Sequence, residues 1–200
     1  MDICWKLKFH RRFVPLVNKN ANLLIIIVIP PIVTIFQHPS EKDILLDFII
    51  YEKIRNGEST LSEYIKKYGA ENKIEKELLT AMKLSETSLY EVIDVDKENS
   101  TVNLKNIFGD RGYIKLMDIA FSSSLSKNII IFSRILNLDS FNMTSGLALT
   151  FPGNYRDFLI RKAKKLIKKG KTGVSSIDKF IAFFNLNRSD GIPVLLENVE

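Results

Sequence analysis

Two histidines, His10 and His38, and one cysteine, Cys4, are the entire supply of imidazole and thiol in this chain of 200 residues. Cys4 with either histidine would make a nucleophile and base only with a third group to orient the imidazole, and no spacing supplies one. A single cysteine excludes an internal disulfide framework and any multi-cysteine zinc or iron–sulfur centre. No other grouping places four ligands around a metal. Gly170-Lys171-Thr172 has the ending of a phosphate-binding loop, but Lys165 stands where the first glycine belongs, and the segment follows a helix rather than a strand. Asp94-Val-Asp96-Lys-Glu98 begins like a calcium loop, yet Asn99 replaces the turn glycine and Lys105 the final glutamate. A hairpin turn is the simpler reading. These failures argue against an enzyme and predict no metal and no cofactor.

The chemistry that the chain does offer is positive charge. Tyr155 to Lys171 reads as a helix with Tyr155, Phe158, Leu159, Ala163, Leu166 and Ile167 along one apolar stripe. Arg156, Arg161, Lys162, Lys164, Lys165, Lys168, Lys169 and Lys171 hold the rest. Gly170 suits the helix end, where late lysines also complement the dipole. Such a face can bind phosphates, of nucleic acid or of an anionic lipid surface, or it can be the solvated side of a docked helix. Few side chains suited to reading base edges lie on it, so a sequence-specific partner is not expected. Arg134 differs: it sits inside the apolar run Asn128–Asn137 and needs a partner there. Asp118, Glu91 and Asp139 are candidates for a structural pair; the sharper alternative is an anion-binding arginine on an open face.

Elements that could position these groups follow from composition and period. Hydrophobic residues make up 46% of the chain and charged residues 26%, which excludes wholesale disorder and fibrous repeats. The formal charge of +6 is uneven: residues 1–40 carry +4, 41–98 carry −5, 99–153 carry +2 and 154–200 carry +5. The basic ends can therefore pair with the acidic middle or with a partner.

Residues 1–40 form a basic and apolar extension. Leu23 to Phe36 is uncharged, but fourteen residues of helix reach only about 21 Å, short of a membrane core, and Pro30-Pro31 interrupts them. Leu23 to Ile29 also fits a buried strand. A membrane anchor, a shallow interfacial attachment and a divergent or mistranslated extension all stay open.

Residues 41–200 are expected to be a single α+β domain. Residues 41–86 read as helices: one opening on a capping box at Ser40 to Asp43 and ending at Gly57, one from Thr60 to Tyr68, and one from about Glu71 to Leu84. Glu71, Glu75 and Glu77 of the third interleave with Lys73 and Lys76 as a solvated face. From Ser88 the period becomes two, and 87–152 reads as a small antiparallel β meander or half-open barrel. Its strands run through Tyr90–Val92, Val102–Leu104, Tyr113–Ala120, Asn128–Asn137 and up to Phe151. Residues 153–200 return to amphipathic helices, the second near Ser176–Asn185.

Phe48 and Tyr51, Ser59-Thr-Leu-Ser-Glu-Tyr64, Leu84-Ser-Glu-Thr-Ser-Leu-Tyr-Glu-Val92 and Phe132-Ser-Arg-Ile-Leu136 stand in an order that resembles uncharacterised prokaryotic proteins related to SEC-C-motif proteins. The resemblance covers roughly residues 41–152. It implies a helical part joined to a small β module and brings no established activity. Relatives of that kind often carry a cysteine-rich zinc tail; no cysteine follows Cys4, so zinc does not carry over. Many also have Gly-Asp before the arginine strand, where this chain has Lys127-Asn128.

The expectation is thus a non-enzymatic binding or accessory protein of the cytoplasm, with weak affinity for a polyanion through 156–171. The alternative is a membrane-associated protein held by residues 23–36. Expected partners are nucleic acid, an anionic lipid surface or another protein.

Overall fold

Arg134 lies on a strand that is buried on both faces, and the rest of the fold follows from how each face is covered. The computed structural model describes residues 41–54, 57–109 and 112–192. The apolar run 23–36 and the Ser40 cap lie outside them. Among the described residues no helix is long and apolar enough to cross a membrane.

Three helices come first: α1 (Glu41–Tyr51), α2 (Thr60–Tyr68) and α3 (Lys73–Leu84). The Ser59 side chain caps α2 by accepting from Ser62 N at 3.1 Å, and Gly69 ends it at a φ of +69°, a conformation glycine adopts without Cβ strain. Asn72 caps α3, accepting from Glu75 N at 2.9 Å, while Glu75 accepts from Glu71 N at 2.6 Å. This resembles a capping box, except that Glu75 reaches the amide of Glu71, one residue before the cap. It corrects the reading of Glu75 as a solvated acid: the side chain is buried at the helix start, where its charge meets unpaired amides. Helix α1 stops at Tyr51 rather than at Gly57, and the next residue, Glu52, is buried.

Six strands follow, β1 (Thr87–Asp96), β2 (Thr101–Asn106), β3 (Tyr113–Met117), β4 (Ile130–Asn137), β5 (Asn142–Thr144) and β6 (Leu149–Phe151), with a short helix α4 (Ile119–Ser124) after β3. Strands β1, β2 and β3 form a meander, and β4 returns to lie beside β1, which is the Greek-key order. A register shift between Val92 and Asp94 lets the long β1 bend and serve both neighbours, its first half pairing with β4 and its second with β2. Strand β5 pairs antiparallel with β4 and meets β3 in a single parallel pair, Leu116 with Asn142. The ring is therefore closed rather than half open. The short β6 lies along the same edge of β4 beyond β5.

Strand β3 ends at Met117, three residues earlier than its apolar pattern suggests. Asp118 caps α4 by accepting from Phe121 N at 2.9 Å, and it also accepts from Thr144 Oγ1 at 2.8 Å. Helix α4 thereby delivers Phe121 and Leu125 into the barrel, where they pack with Tyr90, Val92, Val102, Leu104, Leu116, Ile131 and Ile135. The opposite face of β4 carries Phe132 and Arg134, since side chains alternate along a strand. Two final helices, α5 (Arg156–Lys168) and α6 (Ser175–Asp190), follow β6. Phe180 and Phe183 of α6 cover Phe132, with the rings of Phe132 and Phe183 stacked at 4.4 Å. Phe48 of α1 joins them, 4.9 Å from Phe180. The β4 run reads as continuously apolar because one face fills the barrel and the other lies under helices.

Candidate functional site

The basic helix begins where the chain leaves β6 through a tight turn, Gly153–Tyr155. At Gly153 a Cβ would lie 1.8 Å from the Asn128 carbonyl oxygen, so only glycine lets the two backbones touch. From there α5 buries Leu159 and Ala163 and half-buries Leu166 and Ile167. Phe158 sits at the rim, 5.8 Å from the Tyr155 ring, with the Lys162 ammonium 5.9 Å from its face. Arg156, Arg161, Lys162, Lys164, Lys165, Lys168, Lys169 and Lys171 are all exposed. Arg156 approaches Glu91 of β1 at 3.9 Å; among the described residues none of the other seven lies within 4.0 Å of a carboxylate.

Several other acids of the middle are engaged elsewhere. Glu58 pairs with Lys66 at 2.7 Å, Glu75 is spent on its own helix cap, and Glu77 accepts from Asp139 N at 2.8 Å. Coulomb attraction between α5 and those helices is therefore at most a long-range, salt-screened effect. The Gly170-Lys171-Thr172 segment is the turn between α5 and α6. Asp178 accepts from Thr172 N at 3.3 Å and from Thr172 Oγ1 at 2.9 Å. Its carboxylate also sits where a side chain on Gly170 would be. A phosphate would meet a negative charge there. Asp96 likewise closes the β1–β2 turn, accepting from Asn99 N at 3.0 Å and from Asn99 Nδ2 at 2.7 Å. Those bonds from Asn99 hold its carboxyl below the ordinary range. No group of three or more metal-ligating side chains gathers among the described residues.

Arg134 is buried between β4 and the helices. Its partners are not Asp118, Glu91 or Asp139. Its Nε donates to both oxygens of Asp47, at 3.1 and 3.3 Å, and its Nη2 donates to Glu52 Oε1 at 2.8 Å. Its Nη1 donates to the Ser85 carbonyl at 3.3 Å, and the guanidinium lies 4.2 Å from the Tyr51 ring centre. Hydroxyls complete the shell: Ser145 donates to Asp47 at 2.5 Å and Ser176 to Glu52 at 2.7 Å. Two carboxylates thus share one guanidinium. Burial pushes the Asp47 carboxyl above its ordinary value, against the pull of Arg134 and the Ser145 hydroxyl. Nearby, Lys179 of α6 donates to the carbonyl of Thr87, the residue paired with Arg134 across β1 and β4. The arrangement ties α1, α3, β4 and α6 together and leaves the guanidinium no face for an outside anion.

Asp47 and Glu52 were the partners missed in the sequence. The available signal was position: Asp47 lies three residues after Ile44 and four before Tyr51, inside the apolar stripe of its own helix.

A third surface is the outside of β2 and β3. Tyr113, Lys115 and Met117 alternate with the inward Ile114 and Leu116. Tyr113 is 69% exposed and Met117 53%. The Lys105 ammonium of β2 lies 5.7 Å from the Tyr113 ring centre.

Fold and surfaces together define an α+β protein: a closed five-stranded barrel with helices packed over one side, a buried charge network and an exposed basic helix. The chain belongs to a family of unknown function, DUF7986, whose model matches residues 31–197. No curated protein and no solved structure matches it. The family match carries neither a SEC-C relationship nor a prokaryotic origin.

Proposed function

We propose that this protein is a non-enzymatic binding or accessory protein that holds nucleic acid, as a polyanion, on the basic face of residues 156–171. One observation carries the reading: eight exposed cations on a docked helix, of which only Arg156 has a carboxylate within 4.0 Å among the described residues. Unpaired surface cations cost little to keep in water, and phosphates that displace their counterions gain free energy from counterion release. The fold agrees with a binding role by analogy only. Five-stranded Greek-key barrels include modules that bind oligonucleotides and oligosaccharides, but fold does not fix function.

The test is fluorescence anisotropy of a labelled oligonucleotide with the full chain and with the variant Lys164→Gln, Lys165→Gln, Lys168→Gln, Lys169→Gln. These side chains are exposed, so folding should be unchanged, and binding should fall at least tenfold. Unchanged binding by the variant would remove the proposal. Vesicles of anionic lipid run beside it serve as the control for a membrane surface.

A further inference from the structure

We propose that the polyanion is single-stranded and that one of its bases stacks on Tyr113, on the outer face of β2 and β3. The inference rests on the reading of α5 as a phosphate-binding helix and adds to it the substrate class and a second contact.

Side chains alternate along β3, and Tyr113 falls on its outward face. Here Leu116 of the same strand is fully buried and Tyr113 is 69% exposed, so the ring offers a face to solvent at the sheet surface. Its immediate neighbours suit a nucleotide. Lys105 stands opposite Tyr113 in the β2–β3 register, and Lys115 stands opposite Asn103. An aromatic face beside two ammonium groups can take a base on the ring and the flanking phosphates on the lysines. Phosphate of a duplex could reach the lysines, but the stacked bases of a duplex could not reach the ring.

The platform is linked through the sheet to Arg156, the first residue of the basic helix. Across the sheet the register runs Glu91, Lys105, Tyr113, and Glu91 is the residue that Arg156 approaches at 3.9 Å. Neighbouring strands are about 4.8 Å apart, so the ring lies about 10 Å across the sheet from the β1 position that meets α5. A few nucleotides bridge that distance. Among the described residues, two acids of β1 are occupied, Glu91 by Arg156 and Asp96 by Asn99. Asp94, exposed on β1, would repel a phosphate, so the path crosses β1 at the Glu91 position, where Arg156 offsets the charge.

The experiment compares the full chain, Tyr113→Ala, Tyr113→Phe and the four-lysine variant. The probes are a labelled oligothymidylate of about 16 nucleotides and a duplex of equal length. Tyr113→Ala should weaken single-strand binding about 5- to 150-fold, leave duplex binding unchanged, and be rescued by Tyr113→Phe, which keeps the ring. Equal affinity of Tyr113→Ala for the single strand, with loss of binding in the lysine variant, would overturn the stacking proposal and leave the helix reading standing. Retained binding in the lysine variant would overturn the helix reading itself. Equal loss on both probes in Tyr113→Ala would assign Tyr113 a structural role and refute the proposal.

Discussion

Replacing Arg134 by Met tests the structural centre of the fold. The change removes two ion pairs, at 3.1 Å to Asp47 and 2.8 Å to Glu52, and the bond to the Ser85 carbonyl. What remains matters more than what is lost. The Asp47 and Glu52 side chains are 2% and 4% exposed, so two carboxyl groups stay in a low-dielectric site with only hydroxyl donors, Ser145 and Ser176. Stranding one buried partner of a pair costs about 3–5 kcal/mol. Against a total of about 5–15 kcal/mol, that is a large share. With a urea slope of about 2 kcal/mol per molar, the midpoint should drop by about 2 M. Urea unfolding followed by circular dichroism reads it directly. The triple change Arg134→Met, Asp47→Leu, Glu52→Leu should regain most of the loss, because the penalty belongs to the stranded acids rather than to the absent cation. An Arg134→Met midpoint within about 0.3 M of the unaltered chain would refute the claim that both acids are sealed in.

Further outcomes follow from the same geometry. Because burial raises the Asp47 pKa in the folded state, the native chain binds its proton more tightly than the unfolded one. Stability from this group is then present below the ordinary value of 3.8 and falls as pH rises toward the raised one. Asp47→Asn should flatten that slope in unfolding curves collected across the acid range; an unaltered slope would place its source elsewhere. Phe183→Ala removes the ring stacked on Phe132 at 4.4 Å and should destabilise by about 3–5 kcal/mol in the same urea assay. Asn72→Ala removes the α3 cap and should cost about 1 kcal/mol, with faster amide exchange at Glu75 as the local sign. Gly153→Ala, which forces a methyl against the Asn128 carbonyl, should lower the melting temperature; an unaltered temperature would show that the two segments can part without penalty.

Much of the architecture was legible because hydrophobic period and caps are local. The helical period marked α2 over Thr60–Tyr68, and the alternation from Ser88 announced a β meander or half-open barrel. Features set by distant contacts were less so. The closing pair between β3 and β5 involves one residue from each strand, Leu116 and Asn142, and leaves no mark on either segment. The partner of Arg134 could not be chosen by nearness in sequence, since Asp47 and Glu52 lie 87 and 82 residues away. Glu75 looked solvated because its lysine neighbours were, and its burial follows from cap geometry rather than from charge pattern. The cations of α5 were visible as a helical face from the outset. What the sequence could not show was whether the acidic middle would neutralise them, a matter of tertiary placement.

The most direct measurement is the salt dependence of oligonucleotide affinity for the full chain and for the four-lysine variant. Each phosphate contact contributes about 0.7 to the slope of log K against log salt for a single strand. The expected slope is steep for the unaltered chain and shallower by up to about 3 when four contacts are removed. Identical slopes, or an affinity indifferent to salt, would contradict the assignment of the 156–171 face as the binding surface.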